Sequence, residues 1–433
     1  MISITDEHGS RSVVISLLDS ISSDDLNLRR AATTLLVTYC VHSKPSNISN
    51  FRSQLWRGLI YMLSSEDDFI LNQCIEALNA ITKNMDSKEQ MEIVPEISNA
   101  LRYTISDYKA QLPCVNLEDV ILPGFNTNKG IMPMLNIFRE ALLSSNIETK
   151  DHGANGYRDI IKNASPNALK PSIMAITGPL LRIVADRISN SIKITISEIL
   201  SILLFKSGSL LKPFYPQIQV FFLRSLCDGN RSVRLQAAIS ISCFSTVHSR
   251  IDALFTELIN NLKNSVHNEL CMKETAYYAL RLSITQVGNK LSDAIHRQII
   301  ETVITELDSS IDSYRVTAAS CLGALCASIS APDLESIAKA YLLNDDPSEF
   351  WTIRHFRSIV LRIAIKEAYQ RIMLDRLDWR EQVFSVTINY ISSNKIPLMI
   401  SGIKSAAYLI DHCLENNIAL MQPLITAYSR VIN

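Results

Sequence analysis

An all-α fold, an α-solenoid of stacked helix pairs, is the class this sequence predicts, and three observations carry the prediction. Glycine is scarce, 12 in 433 residues, where ordinary usage is ~7%. Apolar residues recur at three-and-four spacing along almost the whole chain, the mark of amphipathic helix, and no convincing series of alternating segments with Asn-Gly turns marks strands. The third observation is an internal period. An apolar-then-basic or polar pair opens successive helices at Leu28-Arg29, Leu71-Asn72, Thr149-Lys150, Ile192-Lys193, Val233-Arg234, Met272-Lys273, Tyr314-Arg315 and Ile353-Arg354. The gaps between the second members are 43, 78, 43, 41, 39, 42 and 39 residues.

A repeat of ~40 residues with two helices per unit is the HEAT or armadillo pattern, and about ten such HEAT-like units fill the chain. The gap of 78 is close to two periods and hides a degenerate unit. Small residues follow the pairs, among them Ala32, Gly153, Ala237 with Ala238, Ala276, Ala318 with Ala319, and Gly402. They let the second helix of a unit lie close to its neighbour. Prolines such as Pro95, Pro171, Pro213 with Pro216, and Pro332 fall near the start or middle of first helices, where a bend or restart is tolerated. The expected organisation is repeats over 1–105, an irregular break over 106–130, repeats over 131–280 and C-terminal repeats over 281–433. The break is read from SDYKAQLPCVNLEDVILPGFNTNK, with its two prolines and turn residues.

Within DGNRSVRLQAA (228–238) the acid lies in the turn and Arg234 in the first turn of the second helix. The expectation is a ladder in which Asp228 and Arg234 pair within or between units, with Asp312 before Arg315 a shortened echo of the arrangement and Arg354 another ladder residue. The other reading of Arg234 is an exposed partner contact.

Composition excludes several classes. Lys plus Arg total 42 against 43 acids, so no bulk charge announces a nucleic-acid or membrane-surface protein, and an electrostatic partner has to meet a local patch. Nine scattered cysteines (40, 74, 114, 227, 243, 271, 321, 326 and 413) read as reduced thiols. The opening MISITDEHGS has no basic-then-apolar leader, and no apolar run approaches the roughly 18 residues of a bilayer span. The expected setting is cytoplasmic, with no membrane partner. GSLLKPF and HGANGYRD match neither phosphate-loop nor dinucleotide fingerprints, and H-E-x-x-H and C-x-x-C are missing from the sequence. His248, His267 and His296 read as capping or solvated, and Cys321 and Cys326 as core thiols. The expectation is no enzyme, no cofactor, no metal and no small-molecule substrate.

Two surface segments remain. In WTIRHFRSIVLRIAIKEAYQRIMLDRLDWR (351–380), seven basic residues outnumber three acids among interleaved aromatics. Arg362, Lys366, Arg371 and Arg376 are its candidate RNA contacts, against the alternative of a helix whose polar face is basic. In NALKPSIMAITGPLLRIVADRIS, Lys170, Arg182 and Arg187 accompany Pro171 and a Gly178-Pro179 break. A helix restarting there would expose N–H groups that favour an acidic partner; the alternative is a kinked helix with solvated cations.

The wording of successive units resembles a known family. ALNAITK, LPGF followed by Lys129-Gly130, LKPSIMAITGPLLRI, LKPFYPQIQVFF, DGNRSVRLQAA, IDALFTELI, AASCLGALCA, IRHFRS and IPLMISGIK look like, in order, the C-terminal region of the general-control-nonderepressible translational activator. That family is a very large HEAT-repeat scaffold. The resemblance implies a fragment or short product of a much larger protein, one that binds the RWD domain of the initiation-factor-two-alpha kinase and promotes its activation during amino-acid starvation. It implies Lys170, Arg182 and Arg187, with Arg231, as partner-binding residues. Lys170 stands where the family usually carries Arg, keeping the charge without the bidentate fork. Ribosome engagement belongs to distant parts of the family's proteins, so contact with ribosome or RNA is expected to be indirect. The alternative function is a HEAT-repeat adaptor contacting RNA or the ribosome, or acting in nuclear transport.

Overall fold

The structure, a computed structural model, describes residues 7–43, 48–112, 120–184, 188–264, 270–412 and 418–432, and regular structure among these residues is entirely helical. The chain forms two compact units, Met1–Ile218 and Gln219–Asn433. The first holds α1 (Glu7–Ser20), α2 (Leu26–His42), α3 (Arg52–Met62), α4 (Asp68–Lys83), α5 (Ser87–Gln111), α6 (Asn128–Leu143), α7 (Ile147–Asn163), α8 (Ile173–Ile183) and α9 (Asn190–Ser207). The unit boundary falls inside α10 (Tyr215–Leu226). The second unit continues with α11 (Arg231–Val247), α12 (Ile251–Asn264), α13 (Leu270–Val287), α14 (Asp293–Ile304), α15 (Asp312–Leu325) and α16 (Ala331–Ile337). It closes with α17 (Trp351–Tyr369), α18 (Arg380–Ile391), α19 (Ile396–Asp411) and α20 (Ile418–Ile432).

Second helices begin where the sequence places a cap. Asp25 accepts from Asn27 N, Asn146 from Glu148 N and Thr149 N, Ser189 from Ile192 N, and Asn230 from Ser232 N and Val233 N. Each cap satisfies backbone donors that the helix itself cannot and contributes about 1 kcal/mol. In α11, therefore, the cap is Asn230 and not Asp228, and the aligned pair Val233-Arg234 occupies the third and fourth helical positions. Both residues of that pair are buried.

In the second unit the second helices stack in order, α11 on α13 on α15 on α17 on α19, with α12 and α14 forming part of the other layer. One apolar core runs from Phe255 to Ala427. The first unit is less regular. Its α2 stacks on α4 and its α3 on α5, as paired layers require. Beyond the break α5 stacks on α7, and α7 on α9. The interval between the aligned pairs of α4 and α7 holds two further helices among the described residues, where two whole units would put three. The count is even where strict alternation requires an odd one, so the layer begun by first helices is continued by second helices. The break is also shorter than the sequence indicated. α5 runs to Gln111, and after the described stretch resumes at Val120 a single 3-10 turn, Pro123–Asn126, leads into α6.

Small residues close the contacts as expected. A Cβ on Gly153 would lie 2.7 Å from Ala141 Cβ, and one on Gly156 would lie 2.2 Å from the Phe138 ring, which is how α6 and α7 approach so closely. The stretch Asn190–Leu226 contains an 18-residue window of mean hydropathy 1.6, more apolar than the sequence reading allowed. It is divided by the 3-10 segment Gly208–Phe214, and 56% of that window is buried in the protein.

Gly156→Val should destabilise the first unit by about 2 kcal/mol or more through overpacking against Phe138. Gly178→Ala, where an added Cβ meets nothing within 4 Å, should be neutral or slightly stabilising. Denaturant melts of the two variants check the contrast.

Candidate functional site

The first candidate surface is α8. Asn128 Nδ2 at the start of α6 donates to Ala168 O (2.9 Å) and Ser172 Oγ (2.7 Å), fixing the turn Lys170–Ser172 that leads into the helix. Lys170, Met174, Gly178 and Arg182 follow at four-residue steps and so share one face. Lys170 and Arg182 are exposed, and Met174 is 54% exposed between them. The Gly178-Pro179 break expected from the sequence does not occur: Pro179 lies inside the helix, and Leu169, Lys170 and Ile173 keep right-handed helical angles. The segment therefore runs on as helical turns, and its attraction for an acidic group rests on the two cations. Arg187 lies outside the described residues. Arg231, in the second unit, pairs with Glu274 at 3.3 Å while remaining 62% exposed.

Among the ladder residues, Arg234 does not pair with the Asp228 carboxylate as expected, whereas Arg315 does bind Asp312. Arg234, 2% exposed, donates through Nη1 to the carbonyl oxygens of Asp228 (2.9 Å) and Gly229 (3.1 Å), while Asp228 Oδ1 accepts from Asn230 N. Arg315 repeats this reach to a carbonyl six residues back, donating to Ser309 O at 2.6 Å, and also binds Asp312. Its Nε and Nη2 point at His355 Nδ1 (3.3 and 3.2 Å), one period along, and its guanidinium lies over the Trp351 ring at 5.0 Å. Arg354 forms a two-point pair with Asp345, nine residues earlier, whose side chain is fully buried (2.8 Å each). Ties across one period do exist, carried by residues that sequence reasoning passed over: Arg30 with Asp67, Arg52 with Glu89, and Arg158 with Glu198.

The basic stripe of 351–380 separates into two kinds of residue. Arg371 donates to Cys326 O (2.8 Å) and Ile329 O (2.7 Å) at the end of α15, so it closes the neighbouring helix. Arg376 is held by Asp378 at 3.0 Å, lies 3.8 Å from Glu335, and stacks at 4.0 Å over Trp379. Arg357 pairs with Glu349. Arg362 and Lys366 instead line a cleft of about 470 Å³ together with Arg281 and Lys404, which the search for a contiguous stripe missed. The two core thiols behave as expected: burial raises the pKa of both Cys321 and Cys326 to about 12. His296 is buried, bonded to Gly288 O at 2.9 Å, and His248 accepts from Arg250 N.

Helix pairs recurring every ~40 residues, stacked in layers and tied by charged side chains one period apart, define a HEAT-type repeat protein. Residues 1–129 and 252–433 both match HEAT-repeat families described as "Stalled ribosome sensor GCN1-like". The chain is 32% identical over 428 residues to the mouse protein "Stalled ribosome sensor GCN1", covering 99% of this chain and 16% of that protein. It is 27% identical over 349 residues to "eIF-2-alpha kinase activator GCN1" of Saccharomyces cerevisiae, covering 80% of this chain and 12% of that protein. Protein ILITYHIA of Arabidopsis thaliana is 27% identical over 436 residues, 99% of this chain and 16% of its own length. Among solved structures, yeast importin-β (Kap95p) aligns over 100% of this chain and 58% of its own at 11% identity with a TM-score of 0.51. Kap121p bound to Nup53p aligns over 98% and 48% at 12% identity with a TM-score of 0.54. These two likenesses show the fold alone. The chain belongs to the GCN1-like HEAT-repeat family, and it spans about one sixth of the length of the mouse relative.

Burial, then the neighbouring Arg315, lower the pKa of His355 to about 4. The unfolded chain, with an ordinary value near 6.5, takes up a proton that the folded chain refuses. Stability should therefore fall as pH drops from about 6.5 to about 4, by up to about 3 kcal/mol. His355→Gln should flatten that part of the pH profile of thermal melting. In a double-mutant cycle at pH 7, Arg315→Ala and His355→Ala should couple by about 1 kcal/mol or more, and strict additivity would remove the tie.

Proposed function

We propose that this chain is a non-enzymatic scaffold segment that binds the RWD domain of the initiation-factor-two-alpha stress kinase and promotes its activation in the starvation response. The observation that carries the reading is the face of α8, where exposed Lys170 and Arg182 flank exposed Met174. An apolar centre between cations is the composition of an interface anchor, with charge setting register and partner choice. Support for the kinase comes from the yeast relative, whose name is eIF-2-alpha kinase activator, and support for a cytoplasmic, ribosome-associated setting from the mouse relative, named a stalled ribosome sensor. Asn128 holds the start of this face through two hydrogen bonds, so the cations sit on a preorganised helix that loses little entropy on binding.

The test is capture of an isolated RWD domain by the full chain. Lys170→Glu with Arg182→Glu should reduce capture at least tenfold, while far-ultraviolet dichroism and melting stay unchanged because both side chains are exposed. Met174→Ala should weaken capture by a smaller factor. The pair Lys366→Glu and Lys404→Glu should leave it intact. Retained capture by the Lys170 and Arg182 pair, with loss in the Lys366 and Lys404 pair, would move the site away from α8.

A further inference from the structure

The cleft shared by Arg281, Arg362, Lys366 and Lys404 arises from register. Eight residues on from the aligned pair, the consecutive second helices α13, α15 and α17 carry Arg281, Gly323 and Arg362, and α19 carries Lys404 a further 42 residues on, the intervals being 42, 39 and 42 residues. Two cations thus occupy one register position on either side of a glycine, and Lys404 joins them in the cleft. A Cβ on Gly323 would come within 2.7 Å of Val360 O and of Ile363 Cβ, so only glycine lets α15 seat on α17. The row has no side chain at that point, and Arg281 and Arg362, two repeats apart in sequence, reach the same cleft.

The charge there is one-sided. Asp411 is the one acid among the lining residues, whose other members are Ile363, Ala407 and Tyr408. Lys366 lies 3.2 Å from Glu367, and no acid lies within ion-pair distance of Arg281, Arg362 or Lys404 among the described residues. Burial, with Arg281 adding to it, lowers the pKa of the Arg362 guanidinium. Like charges gathered in a partly buried cleft repel one another and lose hydration, and a bound anion offsets both costs.

The lining narrows the chemistry of that anion. The volume falls within the range of small-ligand sites, about 300–1,000 Å³. Guanidinium forks match the paired oxygens of phosphate. Tyr408 is the one aromatic in the lining, so successive bases of a nucleic-acid strand have no series of rings to stack on, and the buried Ile363 offers a peptide no apolar anchor. We propose that this cleft binds a compact, multiply phosphorylated anion that carries no nucleobase.

The probe is inositol hexakisphosphate, added to the full chain and followed by calorimetry and thermal melting. One-to-one binding with a raised melting temperature is expected. Lys366→Gln with Lys404→Gln, both exposed, should weaken it at least tenfold without changing dichroism. Asp411→Asn should tighten it several-fold, an effect that a purely structural role would not produce. Lys170→Glu with Arg182→Glu should leave it unchanged, which separates this site from the kinase surface. Equal responses from wild type and the cleft variants would overturn the proposal, as would an equal shift from inorganic phosphate at matched ionic strength. Tighter binding of an RNA hairpin or of polyglutamate than of inositol hexakisphosphate in the same cleft would also overturn it.

Discussion

The stacked array depends on what happens to the carbonyl oxygens at helix ends and in the turns between units. A helix leaves its last four carbonyls without internal partners, and in stacked pairs many of these ends are partly covered by the next unit. Here long cations answer them. Lys206 Nζ donates to the carbonyls of Ile161, Lys162 and Ala164 (3.0, 2.6 and 2.6 Å), closing α7 from α9. Arg371 does the same to Cys326 and Ile329, closing α15 from α17. Arg234 and Arg315 serve the turn before their own helices. Each bond leaves the charge near a helix C-terminus or a carbonyl cluster, where a cation is favoured. Losing one would strand buried acceptors as well as a contact.

Much of this was legible in the sequence. The period, the helix pairing and the close packing at Gly153 follow from apolar spacing and small residues, because each reports a local requirement of a helix that must bury one face. The partners of the ladder arginines are not, since carbonyl oxygens occur at every residue and only folding selects which are left over. Arg281 and Lys404 escaped a search for contiguous basic stretches because their association runs across repeats. Comparing the same register position in successive units would have shown it, as the sequence places Arg281, Gly323, Arg362 and Lys404 at nearly equal intervals.

The same distinction explains the basic stripe of α17. Sequence adjacency places Arg354, Arg357, Arg362, Lys366 and Arg371 together, but a helix between two neighbours divides them by direction. Those pointing toward the turn find Asp345 and Glu349, and the one near the end finds the carbonyls of α15. Arg362 and Lys366 face the open cleft. Charge count along a helix therefore overstates the charge a partner meets, and the surplus is known only after each ion pair has been subtracted.

The even number of helices between α4 and α7, where regular alternation needs an odd one, bears on how such an array can be rebuilt. In a regular repeat protein any unit can be exchanged for any other, since every unit shows the same helix to the same side. Across the break in the first unit that interchangeability is lost. A pair transplanted from before residue 112 to beyond residue 128 would arrive inside out, offering its solvent-facing polar residues to the core. Grafts and chimaeras should keep both flanks of the break together as one inseparable module, or remove a whole helix to restore the alternation.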